Sequence, residues 1–499
     1  MINIIKKVLR FFDNDTIDLI FLSYMLIVFS LKANPFLDAT RVVYMMTLFM
    51  FFFGILRSVY LVYFYRKKLT KCSLSYTIIP FMVSYFISIV LNSNFLFIQN
   101  IKDILWFFVL IFSVFFNIKF NSAERNRIIL RKIAILFITI ITIMSAISIV
   151  FVFNNQGGYK VLEDGSVAKW GFLFQRLIGV YRSSNYASMY CIIAILLDSA
   201  FLLTPTRIRW KSLYAISLFL NLLYIIYSGS LTGKVCLYTS IVLVFLIILI
   251  LNREHLRELA NPKILFSQKK SRNYIIWVIA AFTLTLCVIN FAKPAVILIN
   301  SVKGVNSNHS LSTPVSVYGS NAMNINTPNF RPISTSTNEG SVTFEREDFA
   351  KGIKPGETRL LHWKTAINVW KTRPWFGTTT RGYYGIAKSV FPKLTKAELI
   401  PYMENDAVTL LVCTGIVGTA IFLTFTIFVL IHVKRIFTKI IRTKDNLALL
   451  DALFAVAILI NMLISALTMD VVIFVNALQS GVFWIVLGYL LSMGVEKND

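Results

Sequence analysis

The feature that most constrains this chain is a succession of apolar runs, each about as long as a bilayer is thick, separated by short polar stretches. They fall near residues 16–32, 42–64, 75–92, 101–117, 133–153, 184–203, 212–228, 235–251, 274–299, 406–432, 447–467 and 471–492. A helix needs about 20 residues to cross the hydrocarbon core. Within that core each backbone N–H and C=O must find its partner in the chain itself, so runs of this length are expected as helices. Two are irregular: the second holds Arg57, and the fourth is interrupted by Lys102 and Asp103. An ionisable group inside a span is costly unless paired. Asp103 and Asp198 are acids that Arg57 could meet.

Composition agrees. With 57% hydrophobic and only 15% charged residues, the chain holds more apolar surface than a soluble core absorbs. The net charge of +26 would suit a nucleic-acid partner if it lay on one surface. Instead Lys and Arg cluster in alternate connections between the apolar runs. One set is Arg66, Lys67, Lys68 and Lys71; then Lys119, Arg125, Arg127, Arg131 and Lys132; then Arg207, Arg209 and Lys211. It continues from Arg253 to Arg272 and ends with Lys434, Arg435, Lys439, Arg442 and Lys444. The opposite connections, near 93–100, 229–234 and 468–470, are nearly free of positive charge. By the positive-inside rule this predicts twelve spans in the plasma membrane with both termini cytoplasmic. Anionic headgroups, not nucleic acid, are the partners expected of that charge.

The expected fold class is therefore all-α: a polytopic integral membrane helix bundle of about twelve transmembrane helices with one large extracytoplasmic loop. Residues 1–299 supply nine helices and 406–499 the last three. A shorter outer loop covers about 154–183, and the large one covers 300–405. Residues 300–343 are rich in Asn, Ser, Thr and Pro and poor in large aliphatics, which predicts irregular chain. Residues 344–400 are charged and aromatic. Leu360, Trp363, Ile367 and Trp370 recur at helical spacing until Pro374 and Gly377, which predicts a compact cap. There is no pair of matched halves of the kind many transporters carry. The N-terminus is basic at Lys6, Lys7 and Arg10 but lacks a small-residue cleavage site, so no cleavable signal is expected. Cys72, Cys191, Cys236, Cys287 and Cys413 form no CxxC or Cys/His cluster and read as packing residues.

The polar residues beside the outer helix ends are the candidates for chemistry. Arg176 and the sequence Gly179-Val-Tyr-Arg-Ser-Ser-Asn-Tyr-Ala187 lead into the sixth run. Ser228-Gly-Ser-Leu-Thr-Gly-Lys234 joins the seventh to the eighth. The cap offers Arg359, His362, Trp363, Arg373-Pro-Trp-Phe-Gly377 and Arg381. Tyr402-Met-Glu-Asn-Asp406 leads straight into the tenth run.

In these residues the chain resembles the O-antigen polymerase and O-antigen ligase superfamily. Members carry an Arg, a Trp four residues on, a Pro-x-x-Gly turn, then His-Asn or Glu-Asn before a helix with a Gly-Ile/Leu-x-Gly step. This chain has Arg359, Trp363, Pro374, Gly377, Glu404, Asn405, Gly415 and Gly418 in that order. Arg182 and Asn185 match an Arg-x-x-Asn opening of a helix, and Ser228 and Ser230 match a Ser-x-Ser turn. The resemblance covers about residues 170–420. Two departures stand out. Thr379 occupies the second position of a turn that is commonly Gly-x-Gly, which puts its geometry in question. Ligases usually carry His where this chain has Glu404, which favours a polymerase.

The resemblance implies polymerisation of oligosaccharide repeat units carried on undecaprenyl diphosphate, outside the membrane. A flippase and a chain-length regulator are the partners such a pathway implies. The physical logic is coherent. Breaking a glycosyl–diphosphate bond develops negative charge on the leaving group, and arginine forks bind phosphate oxygens bidentately. Arg182 and Arg359 are assigned to the diphosphate with Arg176 in support. Glu404 is assigned as general base, oriented by Asn405, and Trp363 and Trp375 to sugar faces, with Tyr383 and Tyr384 as further stacking candidates. No carboxylate cluster has metal spacing, so neither a metal nor another cofactor is expected.

Each residue also has a plainer reading. Glu404 and Asp406 could cap a helix start, and Arg182 could snorkel to headgroups. Arg359 and Arg381 could pair with Glu345, Glu347, Asp348 or Glu357 on the cap, and the aromatics could form a membrane belt. Three functions stay open: the polymerase, a ligase moving finished glycan to another acceptor, and a flippase or transporter for the same lipids.

Overall fold

The computed structural model describes residues 14–162, 167–173, 176–204, 207–251, 357–393 and 403–494. The expected span at 274–299, the segment 300–343, Cys287 and the first part of the cap lie outside the described residues. Eleven of the twelve apolar runs coincide with helices. In chain order these begin with α1 (Asp15–Lys32), α2 (Arg41–Phe64), α3 (Ser75–Leu91), α4 (Phe97–Phe120) and α5 (Ala123–Phe153). A three-stranded ribbon follows: β1 (Gly157–Val161), β2 (Val167–Leu173) and β3 (Arg176–Gly179). Then come α6 (Ser184–Leu203), α7 (Ile208–Ser228) and α8 (Leu231–Leu251). The cap helices are α9 (Glu357–Trp370) and α10 (Gly382–Val390), and α11 (Asp406–Thr443), α12 (Asn446–Ala466) and α13 (Leu478–Ser492) close the chain. Among the described residues eight of these, α2, α4 to α8, α11 and α12, are long and apolar enough to cross a membrane. The protein is an all-α polytopic membrane protein.

Helix starts sit where short polar side chains cap free amides. Ser122 accepts from the Arg125 amide, Ser183 from that of Asn185, and Asp445 from those of Leu447 and Ala448. Contacts at the two ends show the helices alternating in direction. At one end Asn92 (after α3), Asn405 (before α11) and Thr232 (start of α8) meet the cap or the connector 467–477. This end also carries the ribbon. At the other, Asp18 of α1 meets Arg57, Asn117, Asn121 and Arg125. The described Lys and Arg clusters follow the helix ends at this second, basic end.

Three expectations need correction or refinement. Arg57 pairs with Asp18, not with Asp103 or Asp198. Both partners are buried, and a lone guanidinium there would cost far more than the pair. The stretch 154–183, expected only as a shorter outer loop, holds a three-stranded sheet among its described residues. β2 pairs antiparallel with β1 and β3, and Tyr224 of α7 donates to the Ile178 carbonyl at 2.9 Å to tie β3 down. The last run is helical only from Leu478; Val471 to Phe474 are non-helical, with Phe474 at φ +55°, yet buried. Non-helical backbone at this depth survives only where protein satisfies it. Here Asp406 accepts the Val471 and Val472 amides and Ser480 donates to the Val472 carbonyl. The four described cysteines are free and buried, as packing residues would be.

Candidate functional site at the ribbon end

The site is built around a break in α11. At Gly415 the backbone turns to φ 68°, ψ −170°, and the helical ladder stops. The orphaned groups find partners in the cap turn that follows α9. The Thr378 amide donates to the Val412 carbonyl at 2.9 Å and the Thr379 amide to that of Cys413 at 3.1 Å. In return the Ile416 and Val417 amides donate to the carbonyls of Pro374 and Trp375 at 2.8 and 3.1 Å. The cap turn thus completes the broken helix. Thr379 adopts φ +66°, the conformation glycine would favour, so the turn keeps its shape despite the substitution. Its hydroxyl accepts from the Gly382 amide at 3.0 Å and starts α10.

The cap is fastened to α3 and α4 as well. Asn92 donates to the Gly377 carbonyl, and Thr380 and Arg381 both donate to Asp103. Arg381 therefore pairs with a membrane helix; the acids Glu345, Glu347 and Asp348 that it was expected to meet lie outside the described residues. The cap docks there because a buried carboxylate needs a cation. Tyr383 is buried and offers no face to a sugar, which corrects the expectation of stacking there, whereas Tyr384 and Trp375 are exposed.

The last residues before α11 bring two candidates together. Arg359 Nε donates to Glu404 Oε2 at 3.1 Å, and both side chains stay accessible. The Trp363 indole N–H donates to the Met403 carbonyl at 2.9 Å, which fixes α9 beside Glu404. Glu404 sits at φ +49°, a conformation that side-chain-bearing residues adopt only under constraint. Asn405 is the N-cap. Its Oδ1 accepts from the Ala407 and Val408 amides, and its Nδ2 donates to the Leu467 carbonyl at 2.9 Å.

The constraint comes from a pair of acids holding two strands of chain. Asp406 accepts from the Val471 and Val472 amides at 3.0 and 2.8 Å. Asp470 accepts from the Thr409 hydroxyl at 3.0 Å and from the Glu404 and Asn405 amides. Each carboxylate thus grips the backbone next to the other. Asp406 binds the distant connector between α12 and α13 and does not cap its own helix. Burial pushes the Asp470 carboxyl up to about 6; the Glu404 charge adds to the rise, and the Thr409 hydroxyl and the two amides oppose it. Asp470 is a residue the sequence reading missed. The signal was an acid in an otherwise uncharged short connection.

The first turn of α6 extends the site. Ser184 accepts from Arg176 Nη2 at 2.7 Å, Asn185 accepts from the Ser230 hydroxyl at 2.8 Å, and Tyr186 donates to the Asp470 carbonyl at 3.4 Å. Arg176 Nε also donates to the Ser228 carbonyl at 3.2 Å. The Ser228–Ser230 turn is therefore part of this polar cluster and more than a hairpin. Arg182 stands apart: its guanidinium is 72% exposed, pairs with Asp38 at 3.2 Å, and acts together with Arg381 on the charge of Lys32. No contact joins Arg182 to Arg359 among the described residues. Nor do three His, Cys, Asp or Glu side chains come together there as metal ligands would.

Residues 191–423, which hold the Ser228 turn, the cap, Glu404 and the Gly415 break, match the family model described as O-Antigen ligase. Over these residues the chain is similar to the O-antigen ligase family. The resemblance to the O-antigen ligase and polymerase superfamily is thereby borne out, and a ligase- or polymerase-type function is what that family indicates. A search of curated proteins found no match. Within the matched residues, the break at Gly415 and the cap turn at Pro374–Thr379 interlock, so the motif residues separated in sequence form one structural unit.

Proposed function

We propose that this protein polymerises undecaprenyl diphosphate-linked oligosaccharide units into surface polysaccharide at the outer face of the plasma membrane. The observation that carries the reading is the contact of Arg359 with Glu404 at the ribbon end, opposite the Lys and Arg clusters. Basic clusters stay cytoplasmic, and that rule supports reading the ribbon end and the site as outside and both termini as inside.

In this reading the substrate diphosphate, the stronger anion, takes Arg359 from Glu404, with Arg176 and Arg182 as further cations along the same end. Glu404 is then free to accept the proton of the attacking sugar hydroxyl. The hydroxyl oxygen bonds to the anomeric carbon of the donor as the bond from that carbon to the diphosphate breaks. The electron pair leaves on the diphosphate, where arginine charge receives it. Trp363 and Trp375 flank the acceptor sugars, and Asn405 holds the turn that presents Glu404. A flippase supplying the units and a chain-length regulator are the partners this reading implies.

The family model's own description favours a second reading, a ligase moving finished glycan to another acceptor. Glu404, where ligases usually carry His, favours the polymerase. A deletion strain separates them. Single repeat units on the cell surface support the polymerase, and full-length chains retained on the lipid carrier support the ligase.

A further inference from the structure

At the basic end, far from the site above, a cavity of about 190 Å³ lies between α5, α6, α12 and α13. On α12 its lining runs from Leu447 to Ile458 and on α5 from Arg127 to Phe137, about 16 and 15 Å at the helical rise. That length of lining helix is about the thickness of one leaflet of hydrocarbon. Its inner wall is apolar, with Ile193, Ile458 and Val482 deepest.

The mouth is cationic. Arg131 lines it with an exposed guanidinium that stands 5.7 Å from the Phe201 ring centroid. Arg207 and Arg209, both exposed, follow closely on Thr204, another lining residue. Arg127 also lines it but is held by Asp451 at 2.7 Å, which in turn accepts from the Tyr489 hydroxyl. That triad braces α5, α12 and α13 around the opening.

We propose that this slot holds one acyl chain of an anionic phospholipid, its phosphate on Arg131. An apolar bore lined by about one leaflet's length of helix fits a single chain, and cations at the mouth fit a phosphate with no compensating amine. The lipid-linked substrate fits less well, because its diphosphate belongs at the opposite end of the bundle.

The test is native mass spectrometry of the purified full-length protein with added phosphatidylglycerol or phosphatidylcholine, independent of any transfer activity. The expected result is at least tenfold greater retention of phosphatidylglycerol, lost in both Arg131→Glu and Ala455→Phe, the latter filling the bore. Should Ala455→Phe not fold, Ala134→Phe fills it from the α5 wall. Equal retention of the two lipids overturns the proposal, as does retention unchanged in both variants. Loss with Arg131→Glu alone would mean a surface headgroup contact without an occupied bore. Loss with the filling variant alone would mean that no phosphate sits on Arg131. Either result also overturns it.

Discussion

A Cβ placed on Gly415 would fall 2.2 Å from the carbonyl oxygen of Trp375. The two residues belong to a membrane helix and to the cap, and only glycine lets them meet. The same holds in reverse, since a Cβ on Gly377 would lie 2.5 Å from the Val412 carbonyl oxygen. Gly415→Ala should therefore push the cap turn off the helix break, disrupting the four backbone hydrogen bonds that join them. The positive φ alone predicts a loss of about 1–3 kcal/mol. A lowered midpoint in a detergent thermal-shift assay, with faster proteolysis near residue 380, checks this; an unchanged midpoint contradicts the interlock.

Thr379 carries two opposed contributions. Its positive φ costs energy for a β-branched residue, while its hydroxyl accepts from the Gly382 amide. Asparagine tolerates that backbone and can keep an acceptor. Thr379→Asn should raise stability by about 1 kcal/mol, and Thr379→Val, which keeps the strain and loses the acceptor, should lower it by about the same amount. Thermal shift on the two variants reads the sign directly.

Asp470 predicts a pH dependence. Its folded-state carboxyl titrates near 6, above the ordinary carboxylate value of 3.8, so the folded protein binds this proton more tightly than the unfolded chain. Its contribution to stability is greatest below the unfolded value and is lost as pH rises through about 6. Compared with Asp470→Asn, the wild type should lose stability between pH 4 and pH 7. Identical pH profiles for the two proteins would remove this residue from the linkage.

The Arg359–Glu404 contact predicts that Arg359→Lys is not conservative. A lysine is a point charge and cannot hold a diphosphate with a bidentate fork. Polymer yield should fall by at least tenfold with normal membrane insertion, measured by surface-glycan gels and protein blots. Undiminished polymer would show that charge alone suffices.

Much of this architecture was legible because it rests on local chemistry. Apolar length predicted the helices, and Pro374 and Gly377 marked the end of the cap helix and its turn. What stayed hidden depends on contacts between distant segments. Nothing local to Asp18 marks it as the partner of Arg57, and Asp103 reads as a flaw in a span until Arg381 arrives. The reciprocal grip of Asp406 and Asp470 joins residues on different helices, so Asp406 looked like an ordinary cap. The ribbon escaped because its strands are short, and because their hydrogen bonds to α7 belong to no periodic pattern.

The central claim, that Glu404 accepts the proton during glycosyl transfer, is tested most directly by incubating purified protein with a defined lipid-linked repeat unit. The account predicts a ladder of products from the wild type, with or without chelator, and none from Glu404→Gln that has kept its wild-type thermal midpoint. A full ladder from the Gln variant would contradict it.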